Sequence, residues 1–177
     1  MKTGKPIIYW DTCIYLAWIK NEVRKDNEMD GVEDVANKIS KNHVRLISSE
    51  ILFTEILEIT LDDVAKKRLA DLFKHRNCTR ISVGPRVSQF ASEIRSYYLQ
   101  QKTLDGLTTV TTPDAIHLAT AILYDASEFH TFDKLDKPGK SRGLLTLNGN
   151  VAGYPLVICK PPIPSKGPLF DSLPLKL

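Results

Sequence analysis

IIYWDTCIYLAWI, residues 7–19, carries a single charge inside an otherwise apolar stretch. PIIYWD (6–11) is rich in β-branched and aromatic residues and reads as a buried strand ending at Asp11. TCIYLAWIK (12–20) then changes to helical spacing, with Ile14, Leu16, Trp18 and Ile19 around a short helix. A carboxylate between two apolar segments is costly unless something compensates it. Asp11 therefore either caps the helix that follows or belongs to a site.

Working outward, the same alternation recurs. NEVRKDNEMD (21–30) reads as an exposed loop or helix extension, and GVEDVANKISK (31–41) as a helix. HVRLISS (43–49) is a strand, SEILFTEILEI (49–59) a helix, and DDVAKKRLADLFKHR (62–76) an amphipathic helix opened by acids and closed by bases. CTRISV (78–83) is a strand, GPRVSQFASEIRSYYLQQ (84–101) a helix, and KTLDGLTTV (102–110) a loop. In TTPDAIHLATAI (111–122), Thr112 can cap a helix, with Pro113 at its first position and Asp114 in its first turn. EFHTFD (128–133) is a strand ending at Asp133, KLDKPGKSRG (134–143) a polar loop, and YPLVICK (154–160) a final strand. This order predicts an α/β sandwich with a mainly parallel sheet. Residues 1–160 form the expected domain. The proline-rich segment 161–177 reads as an extended tail whose Leu169, Phe170, Leu173 and Leu175 dock on its own domain or a partner.

Sites in such sheets form beyond the carboxyl ends of the strands, at a topological switch point. That rule singles out Asp11 and Asp133. Asp114 is either a favourable charge at a helix start or a third member of the site. If the first and fourth strands are neighbours, these acids converge at one rim, with a glutamate from the helix after the second strand. Glu50, Glu55 and Glu58 compete for that place, and Asp136 competes with Asp133. Close carboxylates repel, and a hard dication such as Mg²⁺ or Mn²⁺ relieves them while accepting phosphate oxygens. Such a site suits phosphodiester hydrolysis.

IIYWDTCIYL, SSEILFTEILEI, TTPDAIHLATAI and HTFDKLD, in this order, resemble the PIN-domain ribonucleases, especially the VapC-like toxins of toxin–antitoxin pairs. The resemblance spans residues 6–159. It implies a Rossmann-like three-layer α/β/α sandwich, an RNA substrate cut to 5′-phosphate and 3′-hydroxyl ends, frequent homodimers and an antitoxin protein. It also implies Asp11, Glu55, Asp114 and Asp133 as the catalytic, metal-binding acids. Thr131 matches a hydroxyl position that accompanies the fourth acid, and Asp136 is a secondary candidate.

Other classes fit less well. A receiver-type phospho-acceptor needs an aspartate ending the third strand, and CTRISV has none. A haloacid-dehalogenase-type phosphatase needs an acid two residues after Asp11, where Cys13 stands. A catalytically silent RNA- or protein-binding module on the same fold is the remaining alternative. His117, three residues after Asp114, either approaches the rim or packs against the sheet.

The 177 residues carry a formal net charge of +3, 42% hydrophobic and 25% charged residues, the profile of an ordinary globular domain. Cys13, Cys78 and Cys159 are widely spaced, which argues against a disulfide framework or a zinc motif and for a reducing cytoplasm. No apolar run reaches membrane-span length, and Asp11 interrupts the one N-terminal stretch that could resemble a signal peptide. Two basic groups could guide RNA: Lys66, Lys67, Arg68, Lys74, Arg76 and Arg80, and, nearer the acids, Lys134, Lys137, Lys140 and Arg142.

Overall fold

The structure, a computed structural model, describes residues 4–57, 61–105, 109–134 and 142–165. In chain order the elements are β1 (Ile7–Trp10), α1 (Thr12–Ile19), a 3-10 turn (Lys25–Asn27), α2 (Glu28–Ser40), β2 (Arg45–Ser49), α3 (Ile51–Leu57) and α4 (Asp63–Lys74). There follow β3 (Cys78–Ile81), α5 (Pro85–Asp105), α6 (Thr112–Leu123), β4 (Glu128–His130), a second 3-10 turn (Leu144–Leu147) and β5 (Ile158–Cys159). The sheet order is β3-β2-β1-β4-β5, and every pairing is parallel.

Alternation along the strands divides the interior into two cores. Tyr9, Ile47, Phe129 and Ile158 face α5 and α6. Ile8, Trp10 and Leu46 face α1, α2 and α4. Both faces are thus covered, as parallel strands require, and the expected three-layer sandwich forms. Tyr9 stacks on Phe129 on one side, and Trp10 meets Tyr15 edge-on on the other. Among the described residues, no helix is long and apolar enough to cross a membrane.

Several element ends differ from the sequence reading. α2 begins at Glu28, inside the stretch read as loop, and α5 runs on to Asp105 through residues read as loop. The cap of α6 is Thr111, not Thr112; Thr112 and Pro113 are its first two residues. β4 stops at His130, so Asp133 lies beyond the strand rather than at its end. The chain turns away there because the Thr131 hydroxyl accepts the Asp133 N–H at 3.0 Å.

Beyond β5 the chain passes over α2. A Cβ on Gly31 would stand 2.3 Å from the Pro161 carbonyl oxygen, so only glycine permits this approach. Leu169, Phe170, Leu173 and Leu175 lie outside the described residues.

Candidate functional site

From β1 the chain moves outward to β2 and β3, then returns to place β4 on the other side of β1. The switch point therefore lies between β1 and β4, whose pairing runs to Trp10 and His130. The Asp11 N–H donates to the His130 carbonyl at 3.0 Å, continuing this pairing by one step. Asp11 is 7% exposed and caps α1. Its Oδ1 accepts the Thr12 N–H at 2.7 Å, and its Oδ2 accepts the Thr131 hydroxyl at 2.8 Å.

Thr131 also links Asp11 to Asp133 through the N–H bond already described. The Asp133 Oδ2 accepts the Leu144 N–H at 3.0 Å, which fixes this carboxylate from 11 residues further along the chain. Asp114, in the first turn of α6, is hydrogen-bonded to the Thr111 hydroxyl. Burial pushes its carboxyl pKa up; the Thr111 bond and His117 oppose this, while the charges of Asp11 and Asp133 reinforce it. Asp114 therefore feels the charge of both other aspartates.

Glu55 joins the group through His117. Its Oε2 lies 2.8 Å from His117 Nε2 and accepts the Thr12 hydroxyl. His117 is fully buried, with Nδ1 2.6 Å from the Tyr9 hydroxyl and Nε2 3.9 Å from Asp11 Oδ1. Burial opposes its positive charge, but the Glu55 hydrogen bond and the charges of Asp11, Glu55 and Asp114 raise its pKa above the ordinary value. The same bond lowers that of Glu55 against the opposing effect of burial. The Tyr9 hydroxyl in turn accepts the Ser49 N–H at 2.9 Å, tying this pair to the end of β2.

Packing and the site thus claim His117 together, where the sequence offered them as alternatives. Its spacing from Asp114 was the available signal. Cys13 is a further neighbour: its thiol lies 3.2 Å from Asp11 Oδ2, and the Phe132 N–H donates to its sulfur. Glu58 and Asp136 lie outside the described residues.

The donor set suits a hard dication. Three aspartates present oxygen ligands, Asp114 under the unfavourable charge of the other two, and oxygen is what Mg²⁺ and Mn²⁺ select. The basic residues assigned to RNA are differently placed. Lys134 Nζ is 3.1 Å from Glu28 Oε1, and the Arg142 guanidinium lies over the Tyr98 ring at 4.9 Å and is buried. Lys137 and Lys140 lie outside the described residues.

The PIN domain family model matches residues 8–135. No curated protein matches the sequence. Among solved structures, the chain resembles one from the VapBC2 complex of Rickettsia felis bound to a DNA fragment from its promoter, with a TM-score of 0.58 at 15% identity. That likeness covers 86% of this chain and 96% of the other. A chain from a toxin–antitoxin complex of Klebsiella pneumoniae matches with a TM-score of 0.45 at 19% identity, over 75% of this chain and 94% of that one.

Proposed function

The chain belongs to the PIN domain family, and on that premise we propose that it is a metal-dependent endoribonuclease, the toxin of a toxin–antitoxin pair. Asp11, Asp114 and Asp133 would hold Mg²⁺ or Mn²⁺, with Glu55 as the fourth acid. The observation that carries this reading is a chain of contacts at one rim of the sheet. It runs from Glu55 through His117, 3.9 Å from Asp11, and from Asp11 through the Thr131 hydroxyl to the Asp133 backbone N–H, with Asp114 one helical turn before His117.

When bound, such an ion would neutralise the carboxylates, polarise a phosphate oxygen and lower the pKa of water for attack on phosphorus. The protein's own groups hold the acids in place. Thr12 and Thr131 orient the two oxygens of Asp11, and the Leu144 N–H orients Asp133. His117 balances the charge of Glu55, so this fourth acid stays ionised at partial burial.

RNA as substrate, 5′-phosphate products, a small antitoxin covering the acidic rim and a homodimer complete the proposal. The motif resemblance supports these features, and the fold likeness to the VapBC2 chain is compatible with them. Cleavage of a structured-RNA panel with Mg²⁺, Mn²⁺ or chelator, run beside Asp114→Asn, tests the activity. Cleavage should require the metal and vanish in the variant; cleavage that survives both treatments overturns the mechanism. Melting supplies a second readout. A Mn²⁺ concentration about 100-fold above Kd should stabilise the wild type by about 2.7 kcal/mol, and Asp11→Asn should remove that gain. Mn²⁺-dependent stabilisation without cleavage of any RNA would favour the silent binding module.

A further inference from the structure

β4 and β5 pair in register, Phe129 beside Ile158 and His130 beside Cys159. Phe129 and Ile158 enter the core beneath α5 and α6. Alternation leaves Glu128, His130 and Cys159 on the other face of the sheet. One ligand atom from each lies within 4.8 Å of the others, the one group of three or more His, Cys, Asp or Glu side chains this close among the described residues. His130 is fully buried, whereas Glu128 and Cys159 are half-buried. The His130 Nε2 lies 2.8 Å from Glu128 Oε2, while its Nδ1 is buried with no hydrogen-bond partner among the described residues. A buried ring nitrogen without a partner has lost its water and gained nothing in return, which is unusual in a folded protein.

We propose that Glu128, His130 and Cys159 form a second metal site, for a borderline transition ion of the Zn²⁺ class. One thiolate, one imidazole and one carboxylate make a sulfur–nitrogen–oxygen set, which Zn²⁺ accepts and Mg²⁺ does not. A tetrahedral ion with bonds of about 2.0–2.3 Å holds its ligand atoms roughly 3.5 Å apart. Side-chain rotation can close the observed cluster to that size. The half-exposed flanks leave a fourth position for water or an outside donor.

The ion would act as a clip. β5 is two residues long and forms the edge of the sheet, so a bond through Cys159 fastens it to β4. The clip also bears on the rim, because the His130 carbonyl receives the Asp11 N–H. Loading the site displaces the Cys159 thiol proton to solvent, so affinity rises with pH. The proposal is independent of nuclease activity, since it uses none of the rim acids.

Co²⁺ serves as the probe, titrated into the reduced, metal-free full chain carrying Asp114→Asn to weaken binding at the rim. A thiolate-to-cobalt charge-transfer band should appear and saturate at one equivalent, and Zn²⁺ should displace it. In that background Cys159→Ser should abolish the band, and Glu128→Gln should weaken Co²⁺ affinity by at least about tenfold. Cys13→Ser should leave the band in place, because Cys13 belongs to the rim. Zn²⁺ should raise Tm only when Cys159 is present. Absence of the band, its persistence in Cys159→Ser, or its loss in Cys13→Ser instead would overturn the proposal. All three variants change half-buried residues, and circular dichroism checks that they are folded.

Discussion

Thr131 is fully buried, yet its hydroxyl makes two connections that no apolar side chain could make. It donates to Asp11 and accepts from the Asp133 backbone. It is therefore a positioning residue for two acids that follow different strands. Thr131→Val keeps the shape and removes both bonds. It should lower kcat/KM on RNA and Mn²⁺ affinity by about 10–100-fold, and Thr131→Ser should restore most of each. Equal activity in the Val and Ser variants would reduce Thr131 to packing. Asp11 was legible at this scale because a lone carboxylate between apolar runs demands a reason. His117 was not, because its partners Tyr9, Glu55 and Asp11 come from three other parts of the chain.

Elements were legible by period and less so by their ends. α4 begins where its sequence says, because Asp62 caps it through the Ala65 N–H. α2 has no side-chain cap: Asn27 stands in the left-handed region and bonds nothing at the helix start. Its first residue is held from outside instead, by Lys134 and Lys160 on Glu28, so local sequence could not mark the beginning. Gly31 shows the same principle in the middle of this helix. Alanine would favour the helix by about 1 kcal/mol, but its Cβ would collide with the Pro161 carbonyl. Gly31→Ala should therefore lower Tm in the full chain. In a chain ending at residue 160 the collision is gone, and the same substitution should raise Tm. A stabilising effect in the full chain would show that the segment after β5 does not rest on α2.

At the scale of the molecule, Glu28 joins parts that the sheet alone leaves apart. Its carboxylate is met by Arg24 at 3.3 Å from before α2, by Lys134 at 3.1 Å from after β4 and by Lys160 at 2.6 Å from after β5. The Lys160 hydrogen bond holds the Glu28 pKa below the ordinary glutamate value, burial opposes this, and Lys134 adds to the lowering. A carboxyl whose folded pKa is depressed stabilises the fold above the unfolded value, and this contribution is lost as pH falls through the folded one. The lysines are partly exposed, so solvent screening limits the network to about 1 kcal/mol, or roughly 2–4 °C in Tm for a chain of this size. Glu28→Gln should show that deficit at pH 7. The gap should close as pH falls below about 4.3, and it should shrink in high salt. A deficit unchanged between pH 7 and pH 3 would assign the effect to packing instead.

The sequence by itself determined the layered architecture, because the switching of hydrophobic period from two to 3.6 residues is a local property that parallel strands and covering helices must obey. It also marked Asp11, Asp114 and the Asp133 neighbourhood, since strand ends and helix starts carry recognisable chemistry. Only the tertiary structure decided how these acids are held, because Thr131, His117 and Tyr9 act on residues 62 to 120 positions away. Only strand register brought Glu128, His130 and Cys159 together. The widely spaced cysteines argued against a zinc motif, and linear spacing is silent about atoms that meet across a parallel pair, where the crossover separates neighbours in space by many residues along the chain.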